Sequence, residues 1–196
     1  MRKILSVLIA LMLIFSMSAF AEETPTVPTI ELDFDHFTMT IPEDMVGTSS
    51  EEIVSNQPFI QLFQDYSETA AFNMNLNIVW SNEVMDLNAT DPVEYANTLL
   101  VATVAQYEQI GIGATNPMLL NAELSDHDGK PAMGVVYSLE LDYSGVGVNE
   151  QQLLYTVQLY VPDEAFEGTY IITVTTDDME NTQQLFDVAD SIKWAE

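Results

Sequence analysis

The alternation of apolar and polar residues is clearest in the segment AFNMNLNIVW, residues 71–80. Its apolar side chains fall on every second position, and Asn73, Asn75 and Asn77 occupy the positions between them. Alternation with a period of two is typical of a β-strand that is buried on one face only. The asparagine face therefore lies either along a polar groove or on the solvent side of the strand.

Further strands are predicted on both sides of this segment by runs of β-branched and aromatic residues between turn-forming residues. The segments 153–161 and 170–176 carry apolar residues on both faces, which places them in the middle of a covered sheet. The other predicted strands cover residues 30–34, 37–41, 59–66, 117–124 and 131–143.

Two helices are predicted by apolar residues that recur every three or four positions. The first begins after Asp91, a good N-cap residue followed by proline, and ends before Gly111. The second covers residues 177–194, with Asp177 or Asp178 as its cap. The segment between the second and third predicted strands, residues 43–58, is predicted to be a loop with room for one helical turn.

The N-terminus has the pattern of a secretion signal. Arg2 and Lys3 precede a short apolar run, and Ala19-Phe20-Ala21 follows as a cleavage sequence. We therefore expect a signal peptide over residues 1–21, a flexible proline- and threonine-rich leader over residues 22–29 and one domain over residues 30–196. The protein is expected to be exported to the cell envelope, the periplasm or the extracellular space, with no membrane span in the mature chain.

Acidic residues dominate the charge of the expected mature chain. All 31 aspartates and glutamates follow residue 21, against two lysines, Lys130 and Lys193, which leaves a net charge of −29. Such a surface repels nucleic acid and anionic lipid, and both are excluded as partners. It attracts divalent cations and basic proteins, although solubility alone is also a sufficient reason for the charge.

Candidate chemistry is concentrated in the segment SDHDGKP, residues 125–131. Asp126, His127 and Asp128 are the candidate metal ligands of the chain, with calcium as the candidate ion. A calcium loop normally supplies more oxygen ligands at alternate positions, and a zinc site needs further histidines or cysteines. The same residues are also what a tight hairpin turn requires, so a turn and a metal site are both open.

The sequence contains none of the common signatures of nucleophilic catalysis or nucleotide binding. The chain has no cysteine, no nucleophile elbow and no phosphate-binding glycine motif. A second acidic turn, residues 33–36, contains the other histidine, His36, and a joint site requires the two turns to meet in space.

Several segments, in this order, are similar to the PsbP-like superfamily. These are FTMTIPEDM at residues 37–45, DGKPAMGVVYSLEL at residues 128–141, the strand pair within residues 150–176, and FDVADSIKW at residues 186–194. Asp44 and Met45 depart from the glycine and tryptophan expected after the second strand. The superfamily includes extrinsic photosystem II subunits, a Ran-binding import factor and the periplasmic protein DcrB, and the chain is most similar to its secreted bacterial branch.

The resemblance implies an α+β fold, an α/β/α sandwich with a mostly antiparallel central sheet flanked by helices. It implies no catalytic residues, because members of the superfamily act mainly in binding and assembly. We therefore expect a non-enzymatic binding or assembly domain with no cofactor, whose partner is a protein or ligand and whose charge favours cationic ones. A calcium-binding protein is the alternative, and a hydrolase is the least favoured class.

Overall fold

A computed structural model describes residues 28–34, 36–49, 58–70 and 72–195 of the chain. The expected signal peptide and residues 22–27 of the expected leader lie outside the described residues. Within the described residues the order of elements is β1 Thr29–Asp33, β2 Phe37–Pro42, β3 Val46–Ser49, β4 Pro58–Phe63, β5 Asn75–Ser81, α1 Pro92–Gln109, β6 Gly113–His127, β7 Lys130–Asp142, β8 Gln151–Asp163, β9 Gly168–Thr176, α2 Gln183–Asp190 and β10 Lys193–Trp194.

The described strands form two antiparallel sheets. The larger has seven strands in the order β3-β4-β5-β9-β8-β7-β6, and the smaller has the order β1-β2-β10. Strands β8 and β9 lie in the interior of the larger sheet, as their two apolar faces predict. The fold is therefore α+β with mostly antiparallel strands and two described helices, which confirms the predicted class.

Alternation along the strands divides the core into two clusters of buried side chains. On β8, Val157 and Leu159 pack in the first cluster, whereas Leu154 and Tyr160 belong to the second. Adjacent positions of a strand point to opposite faces, so the clusters lie on opposite sides of the larger sheet. Helix α2 and the smaller sheet contribute to the first cluster, and helix α1 contributes to the second.

Helix α1 has the predicted bounds and the predicted cap. The Asp91 carboxylate accepts hydrogen bonds from the backbone N–H groups of Val93 and Glu94. Gly111 follows the helix end and has a φ of 85°, a conformation that favours glycine. Ala96 and Leu100 are buried, but Val93 and Ile110, at the two ends of this helical spacing, are more than half exposed. The helix packs mainly on β6 and β7, and Tyr95 also contacts Tyr160 of β8 edge-on at 5.2 Å.

The prediction of the second helix was wrong at its start and at its end. Helix α2 begins after Thr182, because the Asp178 carboxylate instead caps a preceding turn through the N–H groups of Glu180 and Asn181. Thr182 is buried and donates its hydroxyl proton to Thr176 Oγ1 at 2.7 Å, which fixes this turn against the end of β9. Beyond the helix, Lys193 and Trp194 form β10 and pair with β2.

The segment predicted as a loop after Pro42 contains strand β3 over Val46–Ser49. Its backbone pairs with β4, and this ladder outweighs the weak strand propensity of its glycine and serine. The remainder of the predicted loop, residues 50–57, lies outside the described residues. The strand predicted after this loop, residues 59–66, extended too far, because β4 ends at Phe63.

Candidate functional site

The segment that sequence reasoning singled out closes the hairpin between β6 and β7. Asp128 and Gly129 form its two-residue loop, with φ angles of 49° and 81°. Positive φ at both positions is the signature of the type I′ turn, which suits the twist of an antiparallel hairpin. Asp126 Oδ1 accepts a hydrogen bond of 2.9 Å from Gly129 N, which fixes the loop. The predicted hairpin turn is confirmed.

Asp128 binds the C-terminal strand rather than facing free solvent. Lys193 Nζ lies 2.9 Å from Asp128 Oδ1, and this hydrogen bond lowers the pKa of the Asp128 carboxyl below its ordinary value. The pair is substantially exposed, so its net contribution to stability is small, on the order of 0.5 kcal/mol. Its main effect is to fix the position of β10 beside the turn.

His127 is buried beneath the turn with 8% of its surface exposed. Trp194 Nε1 donates to His127 Nδ1 at 3.2 Å and to the His127 carbonyl oxygen at 3.1 Å. His127 Nε2 lies 3.2 Å from the carbonyl oxygen of Ala189 in α2. An acceptor at Nδ1 and a donor at Nε2 together define a neutral imidazole, and burial lowers the pKa of His127 in agreement.

Lys130 extends the same cluster from the first position of β7. Its Nζ atom lies 2.5 Å from Asp163 Oδ2 and 5.2 Å from the centroid of the Trp194 ring. The Asp163 side chain is 2% exposed, and its other oxygen accepts from the N–H groups of Ala165 and Phe166. The two lysines that follow residue 3, Lys130 and Lys193, therefore both lie near Trp194, at one end of the fold.

The three predicted metal ligands are adjacent in the chain, and each has a partner within it. Asp126 accepts from the turn, Asp128 pairs with Lys193, and both ring nitrogens of His127 are hydrogen-bonded. Within the described ranges, no group of three or more histidine, cysteine, aspartate or glutamate side chains is placed to hold a metal ion. An ion bound by Asp128 would compete with Lys193 for the same carboxylate, and the calcium hypothesis stays a prediction.

Aromatic side chains connect the two histidine-bearing turns. His36 stacks on Phe166 with ring centroids 3.6 Å apart and is hydrogen-bonded to the Tyr170 hydroxyl. The Tyr170 and Trp194 rings lie 5.0 Å apart, and Trp194 contacts His127 edge-on at 5.8 Å. The two turns thus contribute to one aromatic cluster, which the sequence could not show. Sequence reasoning did not single out Trp194 and Phe166, although Trp194 directly follows one of the two lysines.

A cleft of about 370 Å³ opens beside this cluster, at the end of the smaller sheet. Its lining combines aromatic rings with one carboxylate and one ammonium group, contributed by Asp33, Phe34, Phe37, Thr38, Lys193, Trp194 and Ala195. Asp33, Thr38 and Lys193 are register neighbours across β1, β2 and β10. Such a lining suits stacking and hydrogen bonding with a ligand or a partner side chain.

The asparagine face of β5 is a hydrogen-bonded row. Asn77 Nδ2 donates to Asn75 Oδ1 at 2.7 Å, and Asn75 Nδ2 donates to the Asn73 carbonyl oxygen at 2.8 Å. Asn75 is only 8% exposed, so this face is not simply the solvent side of the strand. Across the sheet, Asn77 is in register with Gln61 and Thr173, so a polar strip crosses these strands.

No family model and no curated protein matches this sequence. Solved structures do match the fold. Over 91% of this chain and 99% of the other, the fold is similar to cyanobacterial PsbP (CyanoP) from Synechocystis, with 14% identity and a TM-score of 0.60. It is also similar to the Ran-binding protein Mog1p from Saccharomyces cerevisiae, over 86% of this chain and 96% of the other, with 11% identity and a TM-score of 0.50.

These similarities show that the chain has a PsbP-like fold, which confirms the resemblance found in the sequence. At such low identity they show the fold alone, and the predicted similarity to the DcrB branch stays a prediction. Neither helix of the described part of the chain is both long and apolar enough to cross a membrane.

Proposed function

We propose that the protein is an exported, non-enzymatic domain that binds or assembles with a protein partner. The corner around Trp194 carries this proposal. There, the ring nitrogens of His127 and the carboxylates of Asp128 and Asp163 are bound by groups of the chain itself. A general acid, base or nucleophile needs an atom that substrate can reach, whereas these atoms hold the C-terminal strand in place.

The fold similarities support a binding role. Mog1p is by its name a Ran-binding protein, and the fold of this chain matches it over most of both lengths. We also propose that the layers form an α/β/α sandwich, with the larger sheet in the middle, α1 on one face and α2 on the other. The packing of the helices in separate core clusters supports this arrangement.

The proposed location rests on the sequence. A charged start, a short apolar run and a small-residue cleavage pattern support export and removal of residues 1–21, followed by a leader over residues 22–29 and a domain over residues 30–196. The acidic surface supports a protein partner over nucleic acid or anionic lipid, because like charges repel.

The test is affinity isolation with the purified protein immobilised, from envelope and secreted fractions of the organism that encodes it. We expect one protein to be retained in stoichiometric amount and to bind again as a purified component. In parallel, the protein is assayed against ester, phosphate, glycoside and peptide substrates. Turnover that is abolished by His127→Gln or Asp163→Asn would overturn the non-enzymatic proposal.

A further inference from the structure

Three apolar side chains are exposed in two segments that meet at the end of the fold opposite Trp194. Ile110, directly after α1, is 63% exposed, and Val146 and Val148, in the loop after β7, are 48% and 40% exposed. The loop packs closely against the chain just after the helix. A Cβ on Gly145 would overlap the Gly111 carbonyl oxygen, so only glycine fits there. A Cβ on Gly111 would lie 3.6 Å from Val146 Cγ1. We call Ile110, Val146 and Val148 the apolar end patch.

Both segments that carry the apolar end patch also contain exposed carboxylates close in the chain. Glu108 lies on the last turn of α1 and is exposed, two residues before Ile110. Glu150 is also exposed, and its carbonyl oxygen accepts from Tyr143 N at 3.1 Å, at the start of the loop that contains Val146.

The two lysines lie far from this patch. Lys130 and Asp142 are the first and last residues of the 13-residue strand β7, and a strand rises about 3.3 Å per residue. The ends of β7 are therefore roughly 40 Å apart. Lys193 is paired with Asp128 at the end of the strand where Lys130 lies. In the part of the chain that the structure describes, no lysine or arginine offsets the carboxylates around the patch.

We infer that the apolar end patch docks a cationic amphipathic segment of the protein partner. Exposed branched side chains gain stability by covering apolar surface, and the carboxylates around them favour lysine and arginine at the rim of the contact. The same carboxylates repel the phosphates of nucleic acid and anionic lipid. This inference rests on the proposed binding function and names the surface and the chemistry of the partner.

The first test uses a fluorescein-labelled synthetic amphipathic helix of leucine and lysine, with a scrambled peptide of identical composition. Fluorescence anisotropy at physiological ionic strength measures the affinity of the purified protein for each. We expect the amphipathic peptide to bind about tenfold more tightly than the scrambled one, because only it presents a continuous apolar face. Equal binding of the two peptides would reduce the effect to net charge and overturn the inference.

Variants then locate the contact. Combined I110S, V146S and V148S substitutions are expected to weaken peptide binding about tenfold, whereas V93S with V101S, on exposed positions of the same helix, leaves it unchanged. The charge variant E108Q with E150Q is expected to weaken binding and to reduce its dependence on salt. Equal effects of the patch and control variants, or binding to phosphatidylcholine vesicles in place of the peptide, would overturn the assignment.

The isolated native partner separates this inference from the proposed function. If a partner is retained by the wild type and equally by the I110S, V146S and V148S variant, the docking surface is wrong and the binding function stands. If the amphipathic peptide binds the patch but no native protein is retained, the patch stands as a peptide-binding surface and the proposed function is wrong. Loss of the native partner specifically in the patch variant supports both.

Discussion

Acidification is expected to loosen the attachment of the C-terminal strand through His127. In the neutral form, its Nδ1 accepts the indole N–H of Trp194. Protonation places a hydrogen on that same nitrogen, so that two donors face each other. The buried imidazolium must also be accommodated among Asp128, Asp190 and Lys193, whose charges act on it in opposite directions. The Trp194 bond to Nδ1 is therefore incompatible with the charged form.

The sign follows from the pKa of His127, which burial lowers from 6.5 in the folded protein. Below pH 6.5 the unfolded state binds more protons at this residue than the folded state. The free energy of unfolding therefore falls as the pH drops below 6.5, with a slope of at most about 1.4 kcal/mol per pH unit, and levels off below the folded-state pKa. For a domain of this size, that is roughly 3–6 °C in Tm for each pH unit.

Asp190 acts in the opposite direction. Burial raises the pKa of Asp190 above 3.8, so that the folded state takes up a proton more readily than the unfolded state. Through this residue, acidification therefore raises the free energy of unfolding. The effect of His127 is therefore measured as the difference between the wild type and His127→Gln, whose amide can still accept from Trp194 and donate to Ala189.

The assay is thermal unfolding from pH 7.5 to pH 5, followed by tryptophan fluorescence and by NMR of the His127 ring and the Trp194 indole N–H. We expect the stability difference between wild type and His127→Gln to shift with pH in the calculated direction, and the indole resonance to move with the His127 titration. His36→Gln is the matched control and should keep the dependence. A His127 pKa at or above 6.5, or a pH dependence that His36→Gln removes, would refute the reasoning.

Lys130→Met is expected to destabilise the fold by about 3 kcal/mol in denaturant unfolding, because it leaves the buried Asp163 carboxylate without its cation. Adding Asp163→Asn should restore part of this loss, and an unchanged or larger loss in the double variant would contradict a charge effect. Gly129→Ala, at a φ of 81°, should cost about 1–2 kcal/mol by the same measurement, whereas Gly134→Ala serves as a control at an ordinary φ. Calcium and sodium at matched ionic strength should give the same Tm, and a calcium-specific rise that Asp128→Asn removes would instead support a metal site.

Local signals in the sequence were sufficient for most of the fold. The capping geometry of Asp91 depends on residues within one turn of it, and the two-residue turn at Asp128 and Gly129 is determined by their tolerance of positive φ. The position of β9 in the sheet interior also followed from its own two apolar faces. Each of these features depends on neighbours in the chain or on the side chains of one strand.

The errors arose where a contact with a neighbouring strand overrides a local preference. Asp178 is as good a cap in isolation as Asp91, but the buried hydroxyl of Thr182 bonds Thr176, and the helix can begin only after that turn. Val46–Ser49 has weak strand propensity and becomes a strand because the edge of β4 offers a backbone ladder. The β4 partner of Val46–Ser49 is not identifiable from the local pattern, and Thr176, six residues before Thr182, was not recognised as its partner.

The corner around Trp194 shows why a residue pattern alone did not define its chemistry. The sequence Asp126-His127-Asp128 is compatible with a metal site, but it is equally compatible with carboxylates that pair with a lysine or with the turn. Lys193 lies 65 residues from Asp128, and the indole that occupies His127 lies 67 residues away. The chain has only two lysines after residue 3, and each pairs with an aspartate at this corner. This placement indicates a structural role for the corner more strongly than the residue pattern indicates a metal site. Both lysines lie at the end where the C-terminal strand is held, and neither lies at the opposite end with its exposed apolar side chains.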